Sequence, residues 1–325
     1  MEDVIVSVVV PLYNEEKYIK GCMESLIRQT YPLEKMEWIF IDGCSRDKTV
    51  EIIEDYVATE VYPIVLMRNE KKKTPYALNM AIREARGRYI IRLDAHSYFY
   101  PDYIEKCVYY LESTDADNVG GMTETEATGF VGKAIAKMLS TKFGVGGSDF
   151  RIGEGNRYVD TVPFGAFRRE IFEKVGLFNP KLLRSEDNDM NARIRQCGGK
   201  IWLAEDIRFK YYCRDTIKGI LKMGLQNGNA LFFTLRENPK AMSLRHFIPF
   251  LFLLSLCLLP FFALMFPLFG YVFLIEMALY VLLDVFYSFC NKSPQYGFIT
   301  LWLYPLFHIT YGMGSLLGLF GIALY

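Results

Sequence analysis

The segment YIIRLDAHSYFYP, residues 89–101, sets an aspartate and a histidine, Asp94 and His96, two positions apart at the end of a short apolar run. Residues two apart on an extended segment point the same way, so a carboxylate and an imidazole there could converge on one cation. A plainer reading has Asp94 capping a turn and His96 solvated, and the pair alone does not choose between the two. Further along, Glu186, Asp187 and Asp189 open a predicted helix closed by Gly198 and Gly199. Such a knot of carboxylates suits proton transfer, and it equally suits a first helical turn, where negative charge meets the positive end of the macrodipole. Arg168 and Arg169 stand side by side upstream, and guanidinium forks grip phosphate oxygens in pairs. The seven cysteines show no C-x-x-C spacing, which disfavours a zinc site and a disulfide framework.

These residues need elements to position them. VIVSVVVPLY, MEWIFI, YPIVLM and the run from Tyr89 to Leu93 read as strands. EEKYIKGCMESLIRQ, DKTVEIIEDYV and TPYALNMAIREARG between them read as helices. This alternation predicts an α/β fold with a parallel, doubly wound sheet. Ligands of such sheets collect beyond the carboxyl ends of the strands, which groups Asn14 and Glu15, Asp42 and Asp47, and Asp94 and His96 into one set. The first turn reads Pro11-Leu12-Tyr13-Asn14 in place of G-x-G-x-x-G, so a dinucleotide is disfavoured. A mononucleotide remains, with a divalent cation between its phosphates and the carboxylates.

Charge is balanced at 37 basic and 37 acidic residues, which points away from nucleic acid as a partner. From His246 onward the only charged residues are Glu276, Asp284 and Lys292. A soluble-type part, residues 1–215, is therefore expected to precede an amphipathic interface segment, 216–245, and a membrane domain, 246–325, with about three transmembrane helices. Pro260, Pro267 and Gly270 mark a hairpin between the first two, and Gly312, Gly314, Gly318 and Gly321 in the third suit close helix contacts. Lys218, Lys222, Arg236, Lys240 and Arg245 ahead of the first span, and Lys292 between the second and third, predict that the large soluble-type part is cytoplasmic, on the inner membrane. The start, MEDVIVSVVV, lacks a basic n-region and reads as a first strand rather than a signal peptide.

Taken in order, VVVPLYNEEKYI, IFIDGCSRDKT, ALNMAI, LDAH, VPFGAFRREIFEKVGLF and SEDNDMNARIR resemble glycosyltransferase family 2 over about residues 5–215. The closest likeness is to the membrane-associated succinoglycan-type glucosyltransferases of exopolysaccharide synthesis. The resemblance implies a GT-A fold, an inverting mechanism and a nucleotide-sugar donor, typically a UDP-hexose. It would place Pro11, Tyr13, Asn14 and Glu15 around the nucleoside, with Asp42 accepting from the base. Asp94 and His96 occupy the D-x-D motif, facing the diphosphate and its Mn²⁺ or Mg²⁺. Asp187 matches the family's base, Glu186 would contact the acceptor, and Arg168 or Arg169 could hold an acceptor or donor phosphate. The sequence departs from the family at His96, where a second aspartate is usual, and at Gly43, where many members have another. The Q-x-x-R-W motif of processive synthases is missing, and LQNGNALFF stands near its place. The implied activity is transfer of one sugar to a lipid-linked saccharide, with membrane lipid as a further partner. Two alternatives stay open: a polyprenyl-phosphate sugar transferase, and a catalytically silent membrane scaffold.

Overall fold

The first four predicted strands form as Val6–Leu12 (β1), Met36–Asp42 (β2), Ile64–Arg68 (β3) and Tyr89–Arg92 (β4), and Ile19–Ile27 (α1), Thr49–Val57 (α2) and Thr74–Glu84 (α3) connect them. The computed structural model describes residues 4–290 and 293–324, so Lys292 lies outside the described residues. β1, β2 and β4 are buried along almost their whole length, as parallel strands covered on both faces must be. They pair in parallel in the order β3-β2-β1-β4, with Leu12 beside Asp42 and Val9 beside Arg92. That register brings the carboxyl ends of β1, β2 and β4 to one edge. Helix α1 starts at Ile19, where its apolar spacing begins, and later than the predicted segment, which opens at Glu15. The reason is local: Asn14 has a positive φ of 55°, and the amides of Glu15 and Glu16 are held by Thr49 Oγ1 and Asp47 Oδ2.

Past β4 the chain continues through Ser97–Phe99 (β5), Tyr103–Ser113 (α4), Asn118–Glu126 (β6), Gly129–Leu139 (α5), Lys142–Val145 (α6), Asp149–Ile152 (α7) and Arg157–Tyr158 (β7). It returns through Ala166–Arg168 (β8), Glu170–Val175 (α8), Glu186–Gln196 (α9) and Ile201–Tyr212 (β9). β8 runs antiparallel to β4, and the sheet extends as β4-β8-β6-β9-β5 with β7 on β9. The parallel arrangement thus holds for the first half, and a mixed second half is grafted onto β4. Together they make a mixed α/β, GT-A-like fold. The core of the second half is aromatic: Phe99 and Phe209 stack on each other and meet Tyr103 edge-on, and Phe164 packs against both phenylalanines.

The chain divides into two compact units, Met1–Glu124 with Gly153–Tyr211, and Thr125–Ile152 with Tyr212–Tyr325. The second adds Ile217–Glu237 (α10), Ile248–Ala263 (α11), Pro267–Val285 (α12) and Gly297–Leu319 (α13). Its seam is made by glycine. A Cβ on Gly228 of α10 would sit 1.9 Å from Tyr311 O, and one on Gly314 of α13 would sit 2.0 Å from Leu225 O, so the two backbones touch. The apolar stripe of α10, which the sequence offers to a membrane surface, lies partly under this seam: Ile220 is fully buried and Leu221, Leu225 and Phe232 are half-buried. Residues 125–152, adjacent in sequence to the strands, belong with these helices. Lys137 donates to Ser288 O at 2.7 Å, Thr141 bonds the Tyr304 hydroxyl at 2.9 Å, and His308 Nε2 donates to Phe143 O at 2.8 Å. Among the described residues one helix, Pro267–Cys290, is long and apolar enough to cross a membrane, and Ile248–Ala263 is apolar but shorter.

Candidate active site

At the carboxyl edge the loops after β1 and β2 are stitched together by their own side chains. Asp42 is buried and both its oxygens accept from the Ser45 amide, at 3.2 and 3.1 Å. Ser45 Oγ in turn accepts from the Asn14 amide at 2.8 Å, and Asn14 Oδ1 accepts from the Arg46 amide at 2.9 Å. This fixes a shelf in which Tyr13 stands about half exposed beside Pro11. Asp47, grouped with the site by position, is taken up by the turn instead, accepting from Thr49 and from the Glu16 amide.

The strand β4 stops at Arg92, and residues 95 and 96 turn before β5. Asp94 and His96 therefore do not lie on one extended face, and each meets its own neighbour. Asp94 Oδ1 lies 3.6 Å from Arg92, and His96 Nδ1 lies 3.3 Å from Glu15 Oε1. A carboxylate at Nδ1 favours the tautomer that leaves the lone pair on Nε2.

Arg92 is the residue that pattern reading passed over. Its guanidinium is buried and its two terminal nitrogens reach three carboxylates: Asp187, Glu186 at 3.1 Å, and Asp94. The one signal in the sequence is a single arginine inside an apolar strand, which is rarely buried without acidic partners. Burial opposes its charge, yet the carboxylates outweigh burial and raise its pKa further. Burial pushes Asp187 up to about 7, with Glu186 and Asp94 adding to the rise and Arg92 opposing it. A carboxyl held there is poised for proton transfer near neutral pH.

The acidic knot reaches Arg92 because α9 is anchored from several sides. Asn191 Nδ2 donates to Thr161 Oγ1 at 2.8 Å and Asn191 Oδ1 accepts from Asn118 at 2.7 Å, all buried. Arg193 pairs with Asp189 at 3.0 Å and donates to the carbonyls of Val175, Gly176 and Leu177. Asn79 of α3 clamps Phe178 through both its backbone groups, at 2.8 and 2.9 Å. Asp189 is thus a helix-internal partner, and Glu186 and Asp187 face the site.

The structure does not bring Arg168 and Arg169 to this place. β8 sets Arg168 beside Tyr89, at the amino end of β4, and its guanidinium donates to the carbonyls of Leu111, Thr114 and Ala116. The Arg169 amide bonds Arg88 O, also at that end. Asp94, at the opposite end of the strand, is beyond their reach.

A model described as glycosyl transferase family 2 matches residues 7–176, about half of the chain. The chain belongs to glycosyl transferase family 2. Among family 2 relatives, it is 28% identical over 239 residues to the dolichyl N-acetyl-alpha-D-glucosaminyl phosphate 3-beta-D-2,3-diacetamido-2,3-dideoxy-beta-D-glucuronosyltransferase of Methanococcus voltae, covering 71% of this chain and 74% of that protein. It is 31% identical over 209 residues to the succinoglycan biosynthesis protein ExoA of Rhizobium meliloti, covering 64% of this chain and 63% of that one. In fold it is similar to the mannosyltransferase PcManGT from Pyrobaculum calidifontis in complex with GDP-Man and Mn²⁺, with a TM-score of 0.68 at 17% identity over 97% of this chain and 87% of that one.

Proposed function

We propose that the chain moves one sugar from a nucleotide-sugar, a UDP-hexose, to a lipid-linked saccharide at the cytoplasmic face of a membrane, with inversion, in polysaccharide biosynthesis. The observation that carries the reading is the pair of acidic groups set on either side of buried Arg92 at the carboxyl edge of the sheet, Asp94 after β4 and Asp187 on α9. The lipid-linked acceptor is favoured by the dolichyl-linked substrate in the name of the M. voltae relative and by the likeness to a succinoglycan protein.

The nucleoside would lie on the shelf of Pro11, Tyr13, Asn14 and Glu15, with Asp42 accepting from the base. The residues also fit a divalent cation. Among the described residues no group of three ligating side chains converges, so the protein offers Asp94 and, through Nε2, His96. A small ligand set suits Mn²⁺ or Mg²⁺ shared with substrate phosphates. Such an ion supplies neutralisation of the leaving diphosphate. Asp187 takes the proton of the attacking acceptor hydroxyl, and Glu186 holds that acceptor. Inversion follows from in-line attack on the anomeric carbon by a single nucleophile.

We assign residues 1–215 to the catalytic domain, 216–245 to the interface and 246–325 to the membrane, with residues 125–152 of the first segment packing among the helices. All three C-terminal helices are proposed to lie in lipid: Leu268, Tyr271 and Leu274 of α12 and Phe298 and Trp302 of α13 are all more than 60% exposed. The test is nucleoside diphosphate release by the purified full-length protein in detergent, from UDP- and GDP-sugars, with and without Mn²⁺ and isoprenoid-linked saccharide extract. Release that depends on the extract, with a lengthened lipid-linked saccharide as product, supports the reading. A lipid monophosphate sugar as product would instead establish the polyprenyl-phosphate transferase, and no release with any donor would leave the silent scaffold.

A further inference from the structure

We infer that Arg92 is a positioning residue of the transfer reaction, acting through Asp187: one buried guanidinium holds the acceptor-side carboxylate in register with the donor-side carboxylate Asp94. The inference rests on the assignment of Asp187 as the base, and it goes beyond that assignment in naming what aims it.

Three observations converge. Arg92 is the last residue of β4 and precedes Asp94 by two, so the strand end that leads into the donor-side carboxylate carries the cation. The Arg92 side chain is 6% exposed, and its terminal nitrogens are occupied by Asp187, Glu186 and Asp94, which ties α9 to β4 across 95 residues of sequence. Nε, by contrast, is buried with no partner among the described residues, so the group is oriented by its two terminal nitrogens alone. A planar fork with separate arms can hold two carboxylates at a set distance, which the point charge of lysine cannot. Without that cation the three carboxylates would lose the one group that fixes their spacing, and the base would lose its aim.

The test is a double-mutant cycle on full-length protein, in single-turnover transfer with whichever nucleotide-sugar and extract are active in the screen above. Asp187→Asn alone is expected to lower transfer by ~10² to 10⁴. Arg92→Met alone is expected to lower it by about 10², with the donor KM changed by less than about threefold, since misaiming a reacting group by an ångström has effects of that size. The double variant is expected to be no slower than Asp187→Asn within about threefold, because the two residues act as one unit. Losses that multiply would overturn the inference and leave the base in place. Near wild-type transfer by Asp187→Asn would instead remove the base itself. If the Arg92→Met protein does not fold, Arg92→Lys keeps the buried charge and carries the same cycle. A loss of about tenfold that vanishes in the Asp187→Asn background supports the inference, and a loss that persists there, or one confined to donor KM, overturns it.

Discussion

At the scale of single residues the site is a balance of charge around Arg92, and its pH dependence follows from the sign of that balance. As the proposed base, Asp187 must be ionised to accept a proton, and burial raises its pKa to about 7. Transfer is therefore expected to rise about tenfold per pH unit below that value and to level off above it. A profile flat from pH 5 to 8 would remove Asp187 from the rate equation. His96 makes a separate prediction. If its Nε2 is a ligand, His96→Ala should weaken the apparent Mn²⁺ affinity measured by titration of nucleoside diphosphate binding by about 10-fold or more, with the melting temperature little changed. Unchanged Mn²⁺ affinity would make Asp94 the sole protein ligand and give His96 an orienting part.

Elements carry the constraint that lets these residues meet. The shelf after β1 and β2 exists because Ser45, Asn14, Thr49 and Asp47 bind each other's backbones, and the position of α9 exists because Asn191 and Arg193 are saturated with partners. In the helical unit the constraint is volume. Gly228→Leu or Gly314→Leu would drive a side chain into a carbonyl oxygen 1.9 or 2.0 Å from its Cβ, and overpacking of this kind destabilises by about 1–3 kcal/mol or more. Gly147→Ala, with nothing within 4 Å, is the neutral control. Thermal unfolding of the three variants in detergent distinguishes them: equal melting temperatures would mean that the α10–α13 seam is looser than its glycines indicate.

For the molecule as a whole the proposed placement of the C-terminal helices in lipid can be tested through tryptophan. Of the three tryptophans, Trp38 is fully buried in the sheet and Trp302 is 71% exposed on α13. Reconstituted into vesicles of brominated phospholipid, the protein should lose a substantial part of its tryptophan fluorescence, and Trp302→Phe should abolish most of that quenching. Equal quenching with and without Trp302 would place α13 out of the bilayer. The polar groups of this unit serve its own packing: Ser255 donates to Glu276 at 2.5 Å, and the Tyr280 hydroxyl bonds His308 Nδ1 at 2.8 Å, so two charged or titratable side chains on apolar helices are matched within the unit.

What the sequence determined by itself was everything written in local periodicity. The four parallel strands and their helices, the carboxyl edge as the place of Asn14, Glu15, Asp42 and Asp94, the start of α9 at the acidic knot, and the apolar C-terminal helices all follow from patterns within a few residues. Tertiary structure decided whatever depended on partners far away in the chain. The antiparallel register of β8 carries Arg168 to the amino end of β4, the turn at residues 95 and 96 sends His96 to Glu15 rather than to Asp94, and α5 and α6 join the helices through Lys137 and Phe143. Arg92 is the sharpest case. Its burial next to apolar neighbours was visible, but its partners lie some 95 positions on, and only the packing of α9 against β4 selects which carboxylates share its charge.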